Sequence, residues 1–152
     1  MGVCNHCHNP VLVRNRGEIV YPNPLPEPTD PDVPEEIRAD LDEAKRCFQA
    51  AAWRATAVMA RRAIQSAAIR MSASGERLVE QIAELAKEGK ITAALKECAD
   101  AIRWVGNDAA HPGGEPVTRD DAEAVLGLAE ELLRVLFVTP ERARKLAEKR
   151  RR

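Results

Sequence analysis

The stretch Arg103-Trp-Val-Gly-Asn107-Asp-Ala-Ala-His111 carries the residue types that phosphodiester chemistry without a metal requires. Arginine offers a planar donor fork suited to phosphate, histidine exchanges a proton near neutral pH, and asparagine can orient either one. Such a reaction asks a protein for a general acid or base and for a cation facing the charged transition state. The trio is spaced i, i+4, i+8. Each step of four advances about 400° around a helix, so the three share one side if the helix continues. Gly106 and Pro112 suggest instead a fray or loop that re-aims Asn107 and His111. A purely structural reading stays open beside the catalytic one: Arg103 paired with an acid on the first helix, Asn107 capping the break and His111 packed on Trp104.

A second set of reactive groups opens the chain, in Cys4-Asn-His6-Cys7-His8. Two thiolates at Cys-x-x-Cys spacing make one knuckle of a tetrahedral zinc site, and His6 or His8 can add nitrogen. A structural zinc, completed by histidine or shared across a dimer, is the expected occupant. The same spacing serves redox chemistry, covalent haem attachment or an unliganded turn. No βαβ pattern supports the redox use and no export signal supports the haem. Cys47 and Cys98 fall on helix faces and read as core. Basic residues form the third set. Arg61 and Arg62 can cradle a phosphate or pair with acids such as Asp40 and Glu43. Arg150, Arg151 and Arg152 end a basic tail that can contact nucleic acid through charge alone or simply remain solvated.

Holding these groups is a task for helices. The chain has 152 residues, 45% apolar, 31% charged and 3% aromatic, enough for one core and too little for two. From Pro34 onward Ala, Leu, Glu, Arg and Lys dominate, which favours closely packed helices and argues against an all-β or doubly wound fold. The expected fold is all-α, a bundle of four to six helices. No apolar run is long enough to span a membrane and no secretory leader opens the chain, so the expectation is a cytoplasmic protein with no membrane partner.

Residues 1–21 read as the Cys/His knuckle and a short hairpin turning at Asn15 to Gly17. Residues 22–33 read as a Pro-rich strap, with six of the ten prolines between Pro22 and Pro34. The helical domain covers 34–138, and a basic helix or tail covers 139–152. Within the domain, Asp32 and Glu35 have capping-box spacing ahead of a helix over 34–49 with Ile37, Leu41, Ala44 and Phe48 on one face. A second helix covers 51–71. Ser74 is expected to cap a third, with Leu78, Ile82 and Leu85 buried and Gly89 closing it. A fourth carries Ile91, Leu95, Cys98, Ile102 and Val105 and stops at Gly106. Thr118 caps a fifth with the seam Ala122, Val125, Ala129, Leu132 and Leu136, and Thr139-Pro140 starts a sixth. Charge is unevenly placed: Glu27 to Glu43 carries eight acids against Arg38, whereas Glu141 to Arg152 carries seven bases against two acids.

Taken with Glu43-Ala44, Ala60-Arg61-Arg62-Ala63 and Gly106-Asn107-(x)2-Ala110-His111, the helical part resembles the HEPN superfamily. Within it, the chain is similar to a widespread bacterial HEPN-like family of unknown function that pairs an N-terminal Cys-x-x-Cys, a Pro-rich strap and an Arg-(x)3-Asn-(x)3-His motif. The resemblance spans Cys4 to about Phe137. It implies a helical homodimer in which Arg and His of the two subunits meet across the interface. In active relatives the ribose 2′-hydroxyl attacks the adjacent phosphate of RNA without a metal and leaves a cyclic phosphate. Carried over, Arg103 would stabilise the phosphorane, His111 would act as acid or base and Asn107 would position them. The implied role is a metal-independent endoribonuclease in a defence or stress system. The alternative, also found in the superfamily, is a non-catalytic module that recruits nucleic acid or a partner protein. Where relatives have Leu-Glu, this chain has Ile64-Gln65.

Overall fold

The computed structural model describes residues 2–3, 8, 10–14, 19–21, 26–71 and 73–151. Three short strands, β1 (Gly2–Val3), β2 (Pro10–Arg14) and β3 (Ile19–Tyr21), form an antiparallel sheet in the order β1-β2-β3. Val13 faces Val20 and Leu12 faces Tyr21, so the expected hairpin is present, while its turn lies outside the described residues. Among the described residues the strands pair with one another and pack against no helix.

Helices make up the rest: α1 (Glu35–Gln49), α2 (Trp53–Arg70), α3 (Leu78–Lys87), α4 (Ala93–Ala110), α5 (Arg119–Leu133) and α6 (Thr139–Arg151). The fold is an all-α bundle. No helix among the described residues is long and apolar enough to cross a membrane. α2 is the central helix, in contact with α1, α3, α4 and α5. Its sequence explains why. Ala57, Ala60, Ala63, Ala67 and Ala68 are all buried, and a side chain of one methyl lets neighbouring backbones approach closely. The larger apolar groups come from the surrounding helices: Ile37 and Leu41 from α1, Leu78 and Ile82 from α3, Ile102 from α4, Leu132 and Leu133 from α5. Each contributes about 1.5–3 kcal/mol by leaving water.

Thr118 caps α5 as expected. Its hydroxyl accepts the Asp121 N–H, and the Asp121 carboxylate accepts the Thr118 N–H at 2.9 Å. Gly89 follows α3 with φ +70°. Other boundaries differ from the sequence expectation, each for a local reason. Asp32 does not cap α1: Pro34 occupies that position without a side-chain cap, and Asp32 is drawn instead to Lys145. Ser74 does not cap α3, because the Glu80 carboxylate reaches back to the N–H groups of Glu76 and Arg77 and starts the helix at Leu78. Thr139 is not a cap either; its backbone is helical, with φ −63° and ψ −47°. One helical run continues from α5 through a π-helical turn, Arg134–Val138, into α6. Pro140 has no N–H to donate to the turn before it, and the wider turn there takes up the mismatch.

The strap lies against the bundle from residue 26 to 33. Thr29 donates both its N–H and its hydroxyl to Asp42 Oδ1, at 2.9 and 2.6 Å, and Val33 enters the core. The uneven charge seen in the sequence has a structural counterpart here. Asp30 pairs with Arg142 at 2.8 Å and Asp32 with Lys145 at 2.6 Å, fastening α6, which buries no residue of its own, to the strap. A groove of about 430 Å³ between strap, α1 and α5 is lined by Leu41, Phe48, Leu126 and Leu133, with the Lys45–Glu130 ion pair at its edge.

Candidate functional site

α4 does not stop at Gly106. It continues to Ala110, and His111 is the first residue past its end. The reason is packing: a Cβ on Gly106 would lie 2.6 Å from Arg61 Cβ and 3.1 Å from the Ala57 carbonyl oxygen. Gly106 therefore marks a close approach of α4 to α2. The glycine signal was a helix crossing and not a helix end. Gly114 marks a second close approach, since a Cβ there would clash with the Asp108 backbone carbonyl. The turn His111-Pro-Gly-Gly114 folds back on the last turn of α4, closed by the Gly114 N–H to the His111 carbonyl at 3.1 Å.

The crossing at Gly106 brings Arg61 of α2 against the C-terminal half of α4. Arg61 Nε donates to Asn107 Oδ1 at 2.7 Å, and its terminal nitrogen reaches Gln65 Oε1 at 3.4 Å. Both partners are neutral. Burial, and then the nearby Arg103 guanidinium, push the Arg61 pKa below the usual arginine value. Among the described residues no carboxylate forms an ion pair with Arg61. Its neighbour in sequence behaves differently: Arg62 pairs with Asp40 at 3.0 Å on the α1 side and is mostly exposed, which is the acid-paired reading of that residue.

Arg103 does not reach an acid on α1. It leans one turn back along its own helix, as helical side chains do, and pairs with Asp100 at 3.3 Å. Lys96 holds the other Asp100 oxygen at 2.7 Å. Burial raises the Asp100 pKa, but the hydrogen bonds from Lys96 and Arg103 outweigh it, and the carboxyl sits below its ordinary value. The Arg103 guanidinium also lies 5.5 Å from the centre of the Trp104 ring.

Of the catalytic trio, Arg103 and Asn107 thus belong to one cationic cluster with Arg61, and His111 stands apart. His111 is exposed beyond the helix end, its N–H bonded to the Asn107 and Asp108 carbonyls. Eight residues at 1.5 Å each separate it from Arg103 by about 12 Å along the axis, and Arg103 points the other way. One chain does not bring the two together.

Asn107 does not cap a break; its amide serves Arg61. Asp100, not singled out in the sequence, and Trp104, read there only as a packing partner for His111, are the groups that fix Arg103. Their i−3 and i+1 positions were visible, but a helix running through Gly106 was needed to give them meaning.

Among the proposed zinc ligands, Cys4, His6 and Cys7 lie outside the described residues, and His8 is exposed with φ 57°. Cys47 and Cys98 are free and half-buried, at the edge of the core. Arg150 and Arg151 are exposed in α6, and Arg152 lies outside the described residues.

No curated protein and no solved structure matches the chain. One family model does, over residues 42–149, which includes every helix from most of α1 to most of α6. The chain belongs to the family described as Domain of unknown function (DUF4145).

Proposed function

We propose that this chain is a HEPN-like, nucleic-acid-associated domain whose α4 carries the groups of a metal-independent endoribonuclease, completed when two copies meet. The observation that carries the reading is Arg61: a half-buried guanidinium crowded by Arg103 and given only neutral partners. Such a group gains most from an incoming anion, and two adjacent guanidiniums suit the oxygens of a phosphate. Arg103 would then face the phosphorane, Asn107 would hold Arg61 in place, and His111 would move the proton. Because Arg103 and His111 of one chain diverge, the histidine would come from the second copy of a homodimer. The test is to incubate RNA with the protein in the presence of EDTA and look for products ending in a 2′,3′-cyclic phosphate. Their absence with wild-type protein removes the catalytic reading.

A second reading has its own support. Arg103 is already engaged by Asp100, and its side chain is only 16% exposed. A non-catalytic module would use the same cluster, and the exposed Arg150 and Arg151 of α6, to recruit nucleic acid or a partner protein; RNA bound but left uncut is its signature. For the N-terminal knuckle, Cys4 and Cys7 with His6 or His8 are proposed to hold one structural zinc, which would stabilise the small sheet and take no part in cleavage.

A further inference from the structure

Arg61 and Arg103 are held in the same way. Each donates through Nε to a side-chain oxygen on α4, Arg61 to Asn107 at 2.7 Å and Arg103 to Asp100 at 3.3 Å. Most of the N–H donors of a guanidinium sit on its two terminal nitrogens. Gln65 takes one terminal nitrogen of Arg61 at 3.4 Å. Among the described residues nothing bonds the other, nor either terminal nitrogen of Arg103, and none of these nitrogens is sealed from solvent. Net charge does not select an occupant here, since Lys96 and Asp100 cancel and Glu97 and Asp108 sit farther round α4, beside Trp104. The open donors do, because a planar fork fixed at one end presents the other to an oxyanion.

Asp100 decides how Arg103 presents that end. A carboxylate with both oxygens available takes a guanidinium in a two-pronged grip that consumes the fork. Here Lys96 occupies Oδ2 at 2.7 Å and leaves Oδ1 alone for Arg103. The Asp100 side chain is also 12% exposed, so little water competes for it. Resting on the phosphate reading above, we infer that Asp100 is the positioning residue of the site: it holds Arg103 by Nε and keeps the terminal nitrogens turned out, beside Arg61, for one phosphate of an RNA strand. Asp100 itself touches no substrate. A carboxylate so near a phosphate repels it, so its direct effect on binding and its effect through Arg103 have opposite signs. That opposition makes the role measurable.

The experiment titrates the full chain at low salt with a short 2′-O-methyl oligoribonucleotide, which keeps the phosphates and lacks the attacking hydroxyl. Asp100→Ala should weaken binding about tenfold, the worth of one charge-assisted hydrogen bond, and Asp100→Asn should recover much of the loss, since its amide oxygen still accepts the Arg103 Nε–H. In an Arg103→Ala background the sign should reverse: with no guanidinium to hold, Asp100→Ala removes only a repelling charge and binding tightens. Tighter binding by Asp100→Ala with Arg103 present means that the carboxylate competes with phosphate for the guanidinium, and overturns the role. An equal loss in both backgrounds assigns Asp100 to the fold alone and also overturns it. A second measurement needs no change at Asp100. In NMR of wild-type protein, with Arg103→Lys identifying the signal, the Arg103 Nε–H should stay slow to exchange when the oligonucleotide binds; fast exchange in the complex means that the Asp100 bond is given up, and overturns the role. These outcomes leave the phosphate reading in place. If wild type binds no oligonucleotide, or Arg103→Ala binds it as well as wild type, the positioning role and the underlying reading fall together.

Discussion

Arg61 and Asn107, 46 positions apart in the chain, meet through one hydrogen bond of 2.7 Å that ties the central helix to the end of α4. The bond joins a charge to a neutral amide, and that asymmetry makes it informative. Asn107→Ala removes the acceptor and leaves a half-buried Nε–H without its partner, so stability should fall by about 1 kcal/mol. Asn107→Asp should do the opposite to stability, because a carboxylate in the same place forms an ion pair with Arg61. It should also weaken RNA binding, since the anion site is then already filled. Urea denaturation and an RNA titration of the two variants check both signs; tighter RNA binding by Asn107→Asp would remove Arg61 from the phosphate site.

Gly106 sets the distance between the same two helices. Alanine is the better helix former by about 1 kcal/mol, so a free helical glycine would gain from Gly106→Ala. Here the new methyl would press on Arg61 Cβ at 2.6 Å and on the Ala57 carbonyl at 3.1 Å. Overpacking of this kind costs about 1–3 kcal/mol. We expect a net loss of stability in urea and a larger loss of RNA binding than stability alone explains, because Arg61 and Asn107 are pushed apart. A variant more stable than wild type would mean the crossing is looser than described.

These two residues also show what could be read in advance. Gly106 and Asn107 stand out in the sequence, but glycine signals a helix end as readily as a helix crossing, and only the partner on α2 decides between them. The seam residues and Thr118 were legible because their logic is local, confined to 3.6-residue periodicity and a capping box. Asp32, Ser74 and Thr139 had cap-like sequences and cap nothing. Asp32 answers to Lys145, 113 positions away, a pairing that no local rule reaches. Arg61 and Arg62 look equivalent in sequence. One residue step turns a helical side chain by about 100°, which sends Arg62 to Asp40 and Arg61 to Asn107.

The strap and α6 form a clasp whose behaviour follows from exposed charge. The Asp32 N–H, then Arg142 and Lys145, hold the Asp30 carboxyl below its ordinary value of 3.8. A depressed carboxyl contributes stability above its unfolded pKa and loses it as pH falls through the lower folded value. Asp32 and Glu141 raise the Lys145 ammonium above its ordinary 10.5, so its contribution holds below that pH and is lost as pH rises past the folded value. The clasp should be complete from about pH 4 to about pH 10. Within that window salt should open it, since the Debye length shrinks from about 8 Å to about 3 Å between physiological and molar ionic strength. Amide exchange should therefore quicken in α6 with added salt, and equally in Asp30→Asn with Lys145→Ala at low salt, while α2 and α4 stay protected. Exchange in α6 indifferent to both would mean that the π-helical turn alone holds it.

Divergence of Arg103 and His111 within one chain gives the proposed enzyme its sharpest test. His111→Ala and Arg103→Ala should each lower RNA cleavage by about a hundredfold or more, and Arg103→Lys should not restore it, because lysine lacks the planar fork. Each inactive variant retains the residue that the other has lost. If the site is built from Arg103 of one copy and His111 of the other, mixing and re-equilibrating the two variants forms heterodimers with one intact site and one empty site. Equal amounts should recover about a quarter of wild-type activity, since half of the dimers are mixed and half of their sites are whole. A site contained in one chain recovers nothing on mixing, because no chain carries both residues. Light scattering on each variant shows that the subunits still pair, so a failed mixture means a single-chain site and not a lost dimer. If wild type binds RNA and releases no product, neither arrangement applies, and Arg61, Arg103 and Asn107 act as a phosphate-binding cluster alone.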